Sequence, residues 1–144
     1  MNHVPATARG LGRAGLLPFI AAPALLAALP AHRELVCQVL AHYALGIVAF
    51  LLGIWWGLGL IRRNAGALVM SNAIFLAAFA GRSLLADPLF LVLAAVILCI
   101  TLVVERSHAL FRPQPPYYAR MRLELTAVAA IALLLSAALA VQTH

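Results

Sequence analysis

Five long stretches without a charged residue divide the chain: Ala14–Ala31, Leu35–Ile61, Asn64–Gly81, Pro88–Val104 and Leu125–His144, of 18, 27, 18, 17 and 20 residues. They are apolar all round and lack the apolar/polar alternation of a membrane barrel strand. Backbone amides in lipid must be paired within the segment, so each stretch reads as a helix, and about 17–25 helical residues cross a hydrocarbon core. The pattern predicts an all-α fold, a polytopic transmembrane bundle of five helices at about 14–31, 37–61, 65–82, 88–104 and 122–141, forming one domain. The first three connections are short and make successive helices antiparallel neighbours. The fourth, a loop over 105–121, contains Pro113, Pro115 and Pro116, which forbid continuous helix. A cleaved signal peptide over the first stretch is disfavoured by Pro18 and Pro23 within it and by Leu29-Pro30-Ala31, a poor small-residue cleavage site.

Composition agrees, because 65% apolar content, 10% charged content and a mean hydropathy of +1.04 lie outside the soluble range. Charge then adds direction. Arg9, Arg13, Arg62, Arg63, Arg106, Arg112, Arg120 and Arg122 fall on one side of a five-span protein, and only Arg33 and Arg82 on the other. The positive-inside bias puts the N-terminus in the cytoplasm and the C-terminus outside. Ten arginines without a lysine suggest a GC-rich coding sequence and a bacterial inner membrane. The net charge of +6 does not imply nucleic-acid binding. The arginines sit beside membrane ends, where they anchor helices and meet anionic headgroups at the cytoplasmic face. The expected partners are therefore the lipid bilayer and, beyond it, a second copy or a larger membrane complex.

The second helix carries Gly46, Gly53 and Gly57 along one face, which predicts close helix packing. Trp55 and Trp56, just before Arg62 and Arg63, suit the headgroup boundary as interfacial anchors. Of the polar residues at membrane depth, serine and threonine can bond to their own helix, whereas Asn72, next to Ser71, is expected to bond across to a neighbour. Tyr118, Arg120, Arg122 and Thr126 lead into the last helix, either as a docking surface for a partner or headgroups or as interfacial anchors of a solvated hairpin. Arg120 and Glu124, four apart, can pair.

Catalytic chemistry finds no foothold. The acids Glu34, Asp87, Glu105 and Glu124 all lie at helix ends, and no metalloprotease, nucleophile-elbow or phosphate-loop motif occurs. Cys37 and Cys99 stand at different depths and are expected to pack rather than pair. The histidines offer no facing pair for haem or metal, and His32, Cys37 and His42 form only a loose cluster. No catalytic residue, cofactor or metal is expected. The leading expectation is a non-catalytic protein that packs with itself or with a membrane complex. The alternative is an uncoupled transporter or channel for an apolar or lipid-like solute, with Asn72, His42 and Tyr43 along its path.

The order Leu11-Gly12-Arg13-Ala14-Gly15-Leu16-Leu17-Pro18-Phe19, then Tyr43, Phe50, Gly53, Trp56 and Gly57, then Ser71, and finally Tyr118-Ala119-Arg120-Met121-Arg122-Leu123 with Thr126 resembles one family. It is the domain of unknown function 3429, small bacterial inner-membrane proteins related to transmembrane protein 69. The sequence departs from that pattern at Trp55 (often histidine), Ala49 (serine), Met70 and Phe75 (proline and tryptophan) and Glu105 (aspartate). The resemblance implies a polytopic membrane protein and brings no activity with it.

Overall fold

Proline stands in the first turn of four of the six α-helices, at Pro5, Pro18, Pro88 and Pro116, where its missing amide hydrogen leaves no helical bond unmade. A computed structural model describes residues 3–142. Its helices are α1 (Val4–Ala14), α2 (Leu17–Ala28), α3 (Arg33–Ile61), α4 (Ala65–Leu84), α5 (Asp87–Ser107) and α6 (Pro116–Val141). Short 3-10 turns at Pro30–His32 and Ala109–Phe111 precede α3 and follow α5. With α1 joined to α2, and the first turn to α3, five helical stretches are long and apolar enough to cross a membrane. Among the described residues there is no strand.

Two boundaries differ from expectation. The first span is not one helix over 14–31 but the pair α1–α2, starting ten residues earlier and broken at Gly15 and Leu16. Pro18 explains the break, since it cannot donate to the carbonyl of Ala14 and its ring crowds that carbonyl. The Tyr43 hydroxyl donates to the Gly15 carbonyl at 2.7 Å, and its ring meets Phe19 edge-on. Likewise α6 begins at Pro116 rather than near 122, so the connection shrinks to residues 108–115. The last proline of that run opens the helix instead of blocking it.

The turn between α3 and α4 is built from the side chains at hand. Arg63 takes a left-handed φ of 53°, and the Asn64 amide donates back to the Gly59 carbonyl at 2.8 Å, closing α3 as a Schellman motif. The Asn64 side chain then caps α4 by accepting from the Ala67 amide at 3.0 Å. Gly59 allows the close approach here, because a Cβ would lie 3.0 Å from Leu68 and 3.2 Å from the Asn64 carbonyl and would push them back.

The centre of the bundle is lined largely with alanine. Ala41, Ala44, Ala94, Ala95, Ala129 and Ala137 are buried between helices, with Phe90, Leu91 and Leu133 filling the wider gaps. Small residues let backbones approach, and dispersion does the work that water exclusion does elsewhere. The most extensive contact joins α5 to α6, followed by α3 with α4 and α2 with α6. Val39, Phe50, Val69, Leu76, Val103 and Ile131 face outward. So many large apolar side chains on the outside, around a core that mixes alanine with leucine and phenylalanine, fit a lipid surround.

Candidate functional site

Glu105 lies in the last turn of α5 and Arg122 two turns into α6, so the antiparallel hairpin brings them level. Their side chains, 5% and 7% exposed, form a two-pronged ion pair: Arg122 Nε donates to Glu105 Oε2 at 2.8 Å and Nη2 to Oε1 at 3.2 Å. Trp55 Nε1, from α3, donates to the same Oε1 at 3.0 Å. Arg122 Nη1 reaches Thr126 Oγ1 at 3.4 Å, one turn further along α6. One carboxylate thus accepts three bonds at a position almost closed to solvent, which is what keeps a buried charge tolerable.

The connection over residues 108–115 closes this cluster from the end of the bundle. His108 Nδ1 accepts from the Leu110 amide at 3.1 Å, and Phe111 packs on Trp55 with ring centroids 5.1 Å apart. Gln114 Nε2 donates to the Glu105 carbonyl at 3.2 Å, Arg112 Nη2 to the Arg106 carbonyl at 2.7 Å, and Arg62 Nη1 to the Arg112 carbonyl at 2.8 Å. The Arg112–Pro113 peptide bond is cis. A cleft of about 280 Å³ remains beneath the loop, lined by Trp55, Arg62, Glu105, Phe111, Gln114 and Tyr118.

Chemically this arrangement is a clamp. Both Glu105 oxygens are occupied, so using the carboxylate as a base means breaking a bidentate pair. Such a break leaves an uncompensated buried guanidinium.

Several expected roles change. Trp55 is not an interfacial anchor but is fully enclosed, because its indole N–H is needed by Glu105. Trp56, one residue on and rotated about 100°, is exposed near the end of α3. Arg122 and Thr126 are buried and engaged with one another, so neither is open to a partner, whereas Arg120 is exposed and Tyr118 half-buried. Arg120 and Glu124 do not pair, since Glu124 instead meets Arg13 of α1 at 3.4 Å. Asn72 does not reach a neighbouring helix: its Nδ2 donates to the Leu68 carbonyl of its own helix at 2.8 Å, as Ser71 Oγ does at 2.9 Å. Gly46, Gly53 and Gly57 are not used for close packing within the chain, since a Cβ at any of them would meet nothing within 4 Å. The glycines used for close approach are Gly12, Gly59 and Gly81, against Leu125, Leu68 and Leu93.

The residues of the expected transport path also part company. Tyr43 turns to Gly15 and Phe19, His42 Nδ1 lies 2.7 Å from the Gln38 carbonyl on an exposed surface, and Asn72 is on α4. Cys37 is buried and Cys99 exposed, and both are free thiols. Among the described residues, no three His, Cys, Asp or Glu side chains come together as a metal-holding group.

The family model described as protein of unknown function, DUF3429, matches residues 4–138, from the first residue of α1 to three residues short of the end of α6. The chain belongs to the DUF3429 family. No curated protein and no solved structure matches it. The match takes in all six helices of this DUF3429 protein and every residue of the clamp.

Proposed function

We propose that this DUF3429 protein is a non-catalytic, multi-pass protein of a bacterial inner membrane that works by helix-to-helix assembly, with a second copy or within a larger complex. The observation that carries this reading is the bare outer face of α3. Gly46, Gly53 and Gly57 lie along it with no neighbour, while the glycines inside the bundle are in close contact. An unfilled strip of small residues facing lipid is a surface onto which another membrane helix can close. The bidentate Glu105–Arg122 pair, with a third bond from Trp55, supports a structural rather than a chemical use of the only deeply buried acid among the described residues.

The proposed topology has the N-terminus in the cytoplasm and the C-terminus outside. Eight arginines gathered at one end of the bundle against Arg33 and Arg82 at the other support it. A C-terminal reporter active only in the cytoplasm is expected to stay silent, and a signal overturns the orientation. The assembly is tested with Gly53→Cys cross-linked in native membranes. A discrete adduct, to itself or to one partner, is expected, and absence of any adduct from Gly46→Cys, Gly53→Cys and Gly57→Cys alike refutes assembly through this face.

A further inference from the structure

α1 rests on α6, and beside it a groove of about 370 Å³ runs between α1 and α3. Its walls are Leu11 and Gly12 of α1, Ile47, Phe50 and Ile54 of α3, and Leu125 of α6. The lining on α6 extends from Tyr118 to Ala129. At 1.5 Å per residue that is about 16 Å of helix. One leaflet of a hydrocarbon core some 30 Å thick, about 15 Å, has the same depth.

At the arginine-rich end this groove meets a second hollow of about 350 Å³, with Met121 and Leu125 common to both. The second hollow is lined by Arg9, Arg13, Arg120 and Glu124, three arginines and one acid. Arg13 takes up that carboxylate at 3.4 Å, and Arg9 donates from Nε to the Pro5 carbonyl at 3.2 Å. Arg120 has no hydrogen-bond or ion-pair partner among the described residues. α6 begins on the same rim at Pro116 without a side-chain cap, which adds the positive end of its dipole. Arg122 lines the apolar groove but is already committed to Glu105 and Thr126, so the unspent positive charge lies in the outer hollow.

We propose that the two hollows form one binding site for a single anionic phospholipid, one of its acyl chains along α6 and its phosphate among Arg9, Arg13 and Arg120. The apolar part has the depth of one leaflet, and the polar part carries the charge opposite to a phosphate. A second membrane helix would cover Leu11 and Phe50 but leave the excess arginine charge unanswered. A zwitterionic lipid neutralises only part of it. The site adjoins the assembly face at Phe50, but Gly46, Gly53 and Gly57 do not line it.

The test uses the full chain in phosphatidylcholine vesicles with a trace of acyl-spin-labelled lipid, reading the immobilised fraction for phosphatidylglycerol and for phosphatidylcholine. The wild-type protein is expected to hold phosphatidylglycerol in preference. Arg9→Gln with Arg120→Gln lowers that preference by about fivefold for each arginine removed. Arg63→Gln with Arg106→Gln, which removes equal charge from the same end but outside the hollow, lowers it by much less. Leu11→Trp, an exposed position on the groove wall, lowers retention of both lipids. Equal retention of the two lipids by the wild type, equal losses from the two double variants, or unchanged retention in Leu11→Trp overturns the proposal. All the substituted residues are exposed, and circular dichroism of each variant confirms its helix content. Loss of the preference with Gly53→Cys cross-linking intact separates this site from the assembly reading.

Discussion

Both ends of the bundle tie two antiparallel helices together with an arginine and a carboxylate, yet the two ties are built differently. At one end Arg122 grips Glu105 with two nitrogens, Trp55 adds a third bond, and both side chains are under a tenth exposed. At the other, Arg82 of α4 meets Asp87 at the start of α5 through a 3.0 Å contact, with exposures of 16% and 29%. The Arg82 guanidinium also sits 5.8 Å from the centre of the Phe90 ring. The third pair, Arg13 with Glu124, is mostly solvated at 66% and 52%. The same functional groups recur at three depths. What changes is how much it costs to leave one partner alone, and that cost follows burial rather than distance.

The comparison can be broken by removing one partner at each depth and following unfolding in mild detergent. Glu105→Gln or Arg122→Gln is expected to lose about 3–5 kcal/mol, because a charge stays buried without its partner. Replacing both, as Glu105→Met with Arg122→Met, should cost much less than either single change, and a double variant as unstable as the singles would show that the pair adds net stability. Trp55→Phe keeps the packing on Phe111 and loses one bond to a charged acceptor, about 1.5–3 kcal/mol. Asp87→Asn should lose about 1 kcal/mol, the Coulomb term and the helix-dipole term together. Glu124→Gln should stay within about 0.5 kcal/mol. A ranking in which Asp87→Asn exceeds Glu105→Gln would remove burial as the explanation.

The helices were legible because lipid permits so few backbone solutions, and the uncharged stretches between arginines marked them. The first boundary is hidden in the sequence because the helix runs on through Arg9 and Arg13, charged residues tolerated at a membrane end. The clamp was obscured for a different reason. Arg120 and Glu124 are four apart on one helix and advertise a pair, whereas Arg122 and Glu105 become neighbours only once the hairpin closes. A signal was present: Arg122 and Thr126 share the same four-residue spacing, which places a hydroxyl under a guanidinium on one face. The glycine face on α3 was recognised as bare backbone, but sequence spacing does not say whether the neighbour belongs to the same chain. Within this chain the position of α4 against Gly59 leaves that face open.

The Glu105–Arg122 clamp also bears on how the protein is made. A lone charge carried into the bilayer by one helix costs up to about 3.5 kcal/mol on insertion scales, at the helix centre. The two charges belong to consecutive helices joined by eight residues, 108–115, so each supplies the counter-ion for its neighbour. Biogenesis should therefore favour α5 and α6 leaving the translocation machinery as a hairpin. A nascent chain halted before α6 should integrate α5 less efficiently than the complete chain, and Glu105→Gln should erase that difference.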